Sequence, residues 1–275
     1  ECKSCSLKSN CVYVYIFESV PREILPNFGA TQDLPRPFLL EVNHDKIVYE
    51  KGEVLNFNIV LFGKATDFIP YIVVCFDKLG SRGIGNKNDR AKFKILKITT
   101  FDNEIIYTAE DQTLRNFNKT LTFSQLYKTE PVLDSDKITL NFISPTRIKH
   151  QGKLVKLPEF ETLFRAVYRR VYGVLYYYCN GNLDVDYQLL TSKAKRIKIS
   201  SADVKWFDWT RYSTRQKTTM TLGGFIGTIT YHTDEPHILY DFLPFLILGQ
   251  YTHIGKNCTF GLGRYEIVFP PYVNF

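Results

Sequence analysis

The 275-residue sequence has no run of about 18 uncharged apolar residues, which is the length that a membrane-spanning helix requires. It also has no basic stretch followed by a short apolar segment, so it does not predict a signal peptide. Apolar residues still make up 44% of the chain, which is enough for a packed core and argues against disorder. These absences favour a folded protein that does not span a membrane. Because residue 1 is Glu1 rather than Met, we expect the natural protein to contain residues before it.

Cysteine is scarce, with six residues in the chain. Three of them, Cys2, Cys5 and Cys11, form the spacing C-x2-C-x5-C. This spacing could supply three zinc ligands, but the sequence offers no fourth ligand nearby, and a single C-x2-C pair is a modest signal. We therefore expect reduced thiols in a cytosolic protein without a cofactor, and a zinc-stabilised scaffold is the alternative.

Positive charge is concentrated in one part of the chain. The net charge is +7, yet residues 147–217 alone contain 15 Lys or Arg against 6 Asp or Glu. Tyrosines lie among these basic residues, and aromatic rings can stack on unpaired bases while cations bind phosphates. The segment therefore predicts a surface for single-stranded RNA, and solvated helix and strand faces are the alternative.

The second half of the sequence predicts alternating strands and helices. A long helix is expected to begin at Pro158, because apolar residues recur at helical spacing until Asn180-Gly181 ends the pattern. The predicted elements are strand 137–143, helices 158–180 and 185–193, strands 196–209 and 217–231, helix 236–248 and strand 265–269. Without the short helix, this is the βαββαβ order of the ferredoxin-like unit, which RNA-recognition motif (RRM) domains also adopt.

The first half predicts the same order without its beginning. Its predicted elements are strands 38–42 and 54–62, helix 65–79 and strand 93–99, followed by strand 104–107. We therefore predict an α+β fold of tandem ferredoxin-like (RRM-like) βαββαβ domains at residues 1–130 and 131–275. The first domain is expected to lack its first strand and helix.

One arrangement occurs in both halves, namely an apolar helix, a glycine-rich basic loop and a strand. The first loop contains Gly83, Gly85 and Lys87, and the second runs from His253 to Gly263. Glycine lets backbone amides approach a phosphate closely, so both loops predict phosphate binding. His253 adds a group that can transfer a proton near neutral pH. Glycine-rich turns that bind nothing are the alternative.

More specific motifs occur at residues 11–18, 207–217, 222–227 and 253–263. They resemble motifs of the CRISPR-associated RAMP (repeat-associated mysterious protein) endoribonucleases, and in particular of the C-terminal region of the sixth CRISPR-associated (Cas) family. The likeness in element order covers most of the chain. The loop of the family contains two G-h-G motifs, where h is an apolar residue. The sequence departs from this pattern because His253 takes the place of the first glycine in His253-Ile254-Gly255.

The resemblance implies a protein that binds CRISPR repeat RNA and cuts it without a metal, leaving a cyclic phosphate and a 5′-hydroxyl. Such a reaction needs a base near the ribose 2′-hydroxyl, an acid for the leaving oxygen and a cation near the phosphorane. His, Tyr and Lys commonly share these roles in the family. The catalytic candidates are His253, Tyr212, Lys256 and His44.

The predicted RNA-binding residues are cations and loop glycines. They are Arg147, Lys149, Arg211, Arg215, Lys217, Gly255, Gly261, Gly263, Gly83, Gly85 and Lys87. The alternative function is that of a non-catalytic RNA-binding RAMP subunit in a CRISPR interference ribonucleoprotein complex, with other Cas proteins as partners. It would use the same fold and cations without a base and an acid.

Overall fold

The computed structural model gives the fold of most of the chain. The described residues are 4–18, 34–42, 46, 48–86, 89–116, 119–129, 136–213 and 217–269. Within these ranges, none of the helices combines the length and the apolar character needed to cross a lipid bilayer.

The described residues of the first half contain three antiparallel strand pairs and two α-helices. The strands pair as β1 (Phe38–Val42) with β2 (Phe57–Leu61), β3 (Ile84–Asn86) with β4 (Asp89–Ala91), and β5 (Lys97–Thr99) with β6 (Ile105–Thr108). The helices are α1 (Ile69–Arg82), which a 3-10 helix at Gly63–Phe68 precedes, and α2 (Phe123–Thr129). The predicted strand 93–99 is shorter than expected. It begins at Lys97 and turns back through Asn103, whose φ of 63° suits a tight turn.

The second half contains the remaining elements. They are β7 (Lys137–Thr146), β8 (Lys149–His150), β9 (Lys153–Leu154), α3 (Phe160–Tyr178), α4 (Tyr187–Ala194), β10 (Lys198–Phe207), β11 (Thr210–Ser213), β12 (Thr218–Thr221), β13 (Gly224–His232), α5 (His237–Thr252) and β14 (Tyr265–Val268). Four strands form one antiparallel sheet in the order β10-β13-β7-β14. With α3 after the first strand and α5 before the last, this is the βαββαβ order that the sequence predicted. The α+β class is confirmed.

The core of the second half lies between this sheet and the helices α3 and α5. The first residues of α3 that face the sheet, Phe160, Phe164 and Val167, follow helical spacing and are fully buried. Phe164 makes edge contacts with Phe242 and Phe245 of α5. Each buried aromatic side chain stabilises the fold by about 1.5–3 kcal/mol. The core therefore fixes both helices, and with them the loop that follows α5.

The two halves meet where β1 runs past the loop after α5. A Cβ atom added to Gly261 in this loop would lie 2.6 Å from the carbonyl oxygen of Leu40 in β1. On the other side of the interface, the Tyr178 hydroxyl of α3 donates a hydrogen bond to the Pro35 carbonyl at 2.7 Å. Backbone contacts this close leave no room for a side chain, so the interface depends on glycine at this point. The predicted domain boundary at residues 130 and 131 stays a prediction, because residues 130–135 lie outside the described ranges.

Candidate nucleic-acid interface

The β10–β13 hairpin continues beyond the sheet as a narrower two-stranded extension. Strands β11 and β12 form this extension, and the Leu222 amide closes its base by donating to the Trp209 carbonyl at 2.8 Å. We call residues 208–223 the arm. The sequence predicted one strand over 217–231, but Leu222 and Gly223 interrupt it and separate β12 from β13. The arm is therefore a distinct element whose direction is set at its base.

Two contacts fix the base of the arm. The guanidinium of Arg147, at the end of β7, donates to the Gly223 carbonyl, and the Trp206 indole donates to Asp208 Oδ1 at 2.9 Å. Burial lowers the pKa of the Arg147 guanidinium, and the nearby Asp208 carboxylate opposes that shift. Arg147 was predicted to bind RNA. The structure places it half-buried, as a brace between β7 and the arm.

Four cations near the arm are exposed and lack a carboxylate partner within the described ranges. They are Lys149, Lys205, Arg211 and Lys217. Two cations on the helices of the same half are paired instead. Arg165 bonds Glu161 and Lys193 bonds Asp241, each at 2.7 Å. Unpaired cations keep their charge available for a polyanion, whereas the paired ones are largely neutralised by their neighbours.

Exposed aromatic rings accompany these cations. The guanidinium carbon of Arg211 lies 4.1 Å from the ring centroid of Phe260, which joins the arm to the loop after α5. Tyr212 on the arm and Phe207 at the end of β10 are also exposed. We call Lys205, Phe207, Arg211, Tyr212, Lys217 and Phe260 the arm–loop surface. Flat rings beside unpaired cations are what single-stranded nucleic acid requires, because bases stack while phosphates are neutralised.

A shallow pocket of about 290 Å³ opens on the uncovered face of the sheet beside Lys205. Ile143 and Ile226 form its apolar walls, and Asp203 and Lys205 supply polar groups. Gly227, with a φ of 116°, lies at the register shift between β13 and β7, and a Cβ there would lie 2.2 Å from the Asp203 carbonyl oxygen of β10. The pocket extends the arm–loop surface onto the sheet.

Three members of the surface were missed at the level of sequence, namely Lys205, Phe207 and Phe260. Phe207 belongs to the motif at residues 207–217. Its position near the end of the predicted strand 196–209 was the signal that could have identified it. Lys205 lies two residues earlier on the same strand and points to solvent like Phe207. Conversely, several tyrosines expected to stack on RNA are in the core, where Tyr168 and Tyr178 of α3 are buried.

The glycines of the loop after α5 serve close packing. A Cβ at Gly263 would lie 1.9 Å from the Ile254 carbonyl, and one at Gly255 would lie 2.4 Å from the Arg147 carbonyl. The amides of Gly261 and Gly263 already donate to the carbonyls of Cys258 and Pro145. These two amides are thus satisfied by hydrogen bonds within the protein. The sequence had suggested instead that the loop amides are available to bind a phosphate.

His253 follows the last residue of α5 and is completely buried. Its Nδ1 lies 3.1 Å from the Leu262 carbonyl, and its Nε2 lies 3.1 Å from Glu41 Oε1 on β1. The backbone angles of His253 are φ 55° and ψ 170°, a conformation that costs a residue other than glycine about 1–3 kcal/mol. In this position the imidazole has no surface from which to reach an RNA molecule.

The remaining predicted residues are distributed over both halves. Lys256 is half-buried in the loop after α5, and its amide donates to the Arg147 carbonyl at 2.9 Å. Gly83 ends α1 and Gly85 lies in β3, so both belong to a hairpin of the first half. Cys5 and Cys11 are free thiols, and no three potential ligands converge on a metal position within the described ranges. Four predicted residues lie outside these ranges: His44, Lys87, Arg215 and Cys2.

Comparison with known protein families gives two matches. Residues 140–265 match the model of the CRISPR-associated endoribonuclease Cas6, and residues 1–119 match a family of N-terminal domains named AF_1859_N. The first match contains most of the sheet, the arm and the loop after α5. No curated protein matches the sequence.

Solved structures with a similar fold include several Cas6 proteins. A Cas6 product complex aligns with a TM-score of 0.55 and 12% identity, covering 85% of this chain and 83% of that chain. Thermus thermophilus Cas6 aligns with a TM-score of 0.51 and 10% identity, covering 84% and 79%. A partial Cas6-RT-Cas1-Cas2 complex gives 0.53 and 18%, covering 84% of this chain and 38% of that chain. At these identities the likeness establishes the fold.

Proposed function

Since residues 140–265 form a domain of the CRISPR-associated endoribonuclease Cas6 family, we propose that this protein binds CRISPR repeat RNA and cleaves it. The observation that carries the proposal is the arm–loop surface within the matched residues. There Arg211 lies beside the exposed Phe260 ring, and Lys217 is exposed without a carboxylate partner in the described ranges. Phosphates would lie along the cations and unpaired bases on Phe260 and Tyr212. We also infer other Cas proteins as partners, because one protein of similar fold occurs in a complex with Cas1 and Cas2.

The chemistry that we propose is attack of the ribose 2′-hydroxyl on the adjacent phosphate, without a metal. The products would be a cyclic phosphate and a 5′-hydroxyl. Among the described candidates, Tyr212 is exposed enough to transfer a proton and Lys256 retains partial exposure for a developing negative charge. His44 is the proposed base. It follows Val42, the last residue of β1, by two positions, and β1 contacts the loop that carries Lys256.

The test is to incubate the protein with a CRISPR repeat RNA in the presence of EDTA. We expect cleavage at one position and its loss when the nucleotide before that position carries a 2′-deoxyribose. The variants His44→Ala and Lys256→Ala should slow cleavage by roughly 100-fold or more, while His237→Ala, an exposed histidine at the start of α5, should leave it unchanged. Tight binding with intact RNA under all conditions would overturn the proposal in favour of a non-catalytic RNA-binding subunit.

A further inference from the structure

His253 combines an unfavourable backbone conformation with complete burial of its ring. Its φ of 55° and ψ of 170° fall where glycine fits easily and other residues are strained. Glycine at this position would remove the strain, so the imidazole must provide an interaction that glycine cannot. Strain of this kind is a reason to look for a function.

Each nitrogen of the His253 ring has a hydrogen-bond partner. A carbonyl oxygen can only accept, so Nδ1 carries a hydrogen that it donates to Leu262. Glu41 accepts from His253 and, through its other oxygen, from the Asn58 amide at 3.2 Å. The His253 hydrogen bond, assisted by that of Asn58, holds the pKa of Glu41 below its ordinary value, although burial opposes the shift. The second ring nitrogen, Nε2, thus faces a carboxylate that accepts hydrogen bonds.

The two contacts of the ring connect β1 with the loop after α5. Glu41 belongs to β1 in the first half, and Leu262 belongs to the loop after α5. The same loop carries Phe260, on which Arg211 of the arm stacks. The other charged groups packed around the pair are Arg264, whose charge also favours the Glu41 carboxylate, and Arg170 of α3, whose Nε donates to the Thr252 carbonyl. No second carboxylate competes for the ring among the described residues.

We propose that His253 is a positioning residue, whose buried ring, bonded to Glu41 and Leu262, holds β1 against the loop after α5 and so aligns the first half with the arm–loop surface. The role in cleavage rests on the function proposed above, whereas the contact itself does not. The alignment therefore depends on the buried ring and on its carboxylate partner in β1.

Two variants separate positioning from mere stability. His253→Gly removes the ring and suits the backbone, so the loop should remain folded. Glu41→Gln removes the charge but keeps the contact, because a neutral imidazole can donate from Nδ1 and accept from the Gln amide through Nε2. Glu110→Gln and His237→Asn, both at exposed positions away from the interface, are matched controls.

The first measurement is hydrogen exchange of the backbone amides in residues 38–42, expressed as protection factors. We expect His253→Gly to lower protection at least tenfold. Glu41→Gln, which keeps a hydrogen bond to the ring, should lower protection by less than His253→Gly does. Unchanged protection in His253→Gly would overturn the proposal.

The second measurement is single-turnover cleavage of a CRISPR repeat RNA together with its Kd. Misalignment of reacting groups by about 1 Å can cost about 100-fold in rate. We therefore expect His253→Gly to slow cleavage by about 10- to 100-fold with a Kd within about threefold, since the cations remain. Equal losses in rate and affinity would instead indicate a direct RNA contact. If the natural protein cleaves nothing, the proposed function fails, while the exchange experiment still decides on the contact.

Discussion

In the second half, cations on the helices and cations on the arm differ in whether a carboxylate pairs with them. On the helix side, Arg165 forms a salt bridge with Glu161 on the same helix, and Lys193 of α4 forms one with Asp241 of α5. On the arm side, Arg211 and Lys217 are exposed and have no such partner within the described ranges, and Arg211 lies beside the exposed Phe260 ring. The difference teaches that a charge excess over a segment does not locate a binding surface. Pairing by nearby carboxylates decides which cations remain available.

The largest effect that would separate the two sides is on stability. Phe164→Ala, on the helix side, should lower the free energy of unfolding by about 3–5 kcal/mol, because it leaves a cavity in the core. Phe260→Ala, on the arm side, should lower it by less than about 1 kcal/mol, since nearly half of that residue is exposed. Urea unfolding of both variants measures the contrast. Comparable losses would mean that the arm–loop surface is part of the core.

The next effect concerns RNA affinity. The double variant Arg211→Ala/Lys217→Ala should raise the Kd for a repeat RNA about 30-fold, or about 2 kcal/mol, and reduce the slope of log Kd against log salt by about 1.4. Fluorescence anisotropy over a salt series measures both quantities. The helix-side control Arg165→Ala/Lys193→Ala should change the Kd by less than about twofold. An equal response of the two pairs would remove the distinction between the sides.

Base stacking on Phe260 should contribute less to RNA affinity than the two cations do. Phe260→Ala is expected to weaken RNA binding by about 1–2 kcal/mol, or about 5- to 30-fold, because one base loses its aromatic partner. The salt dependence should remain nearly unchanged, since no cation is removed. Tyr240→Ala, a comparably exposed ring on α5, is the matched control and should have little effect. A change confined to the salt slope would contradict a stacking role.

The smallest effect is expected from Glu41 at acidic pH. The lowered pKa of Glu41 means that the folded protein favours the carboxylate. The ionised carboxylate therefore stabilises the fold fully at a pH above the pKa of Glu41 in the unfolded chain, and this stabilisation is lost as the pH falls through the lower pKa of the folded protein. Thermal unfolding of the natural protein and of Glu41→Gln at neutral and acidic pH should show a smaller acid destabilisation in the variant. An identical pH dependence would mean that Glu41 does not titrate differently on folding.

Much of the second half could be predicted from its sequence, because periodicity records which faces are buried. The helical spacing of apolar residues after Pro158 sufficed to predict α3, and the alternation of apolar and polar residues at 137–143 sufficed to predict β7. The order of the predicted elements then indicated the sheet. The arm was harder, since its break at Leu222 and Gly223 depends on the brace from Arg147, which precedes it by more than seventy residues. Local patterns do not contain such distant contacts.

The site was predicted less well than the fold, for the same reason. Spacing identified the glycines at 255, 261 and 263, but only the structure shows that carbonyls of Arg147, Leu40 and Ile254 occupy the space beside them. His253 was assigned a catalytic role because histidine near glycines suits proton transfer. Its partner Glu41 lies in the other half of the chain, so the buried contact had no signal in the sequence.

The most direct test of the arm–loop surface is photo-crosslinking of a repeat RNA that contains 4-thiouridine, followed by identification of the crosslinked peptides. The account predicts crosslinks in residues 205–217 and 253–263, reduced in Phe260→Ala. Crosslinks concentrated in α3 and α4 instead would contradict it.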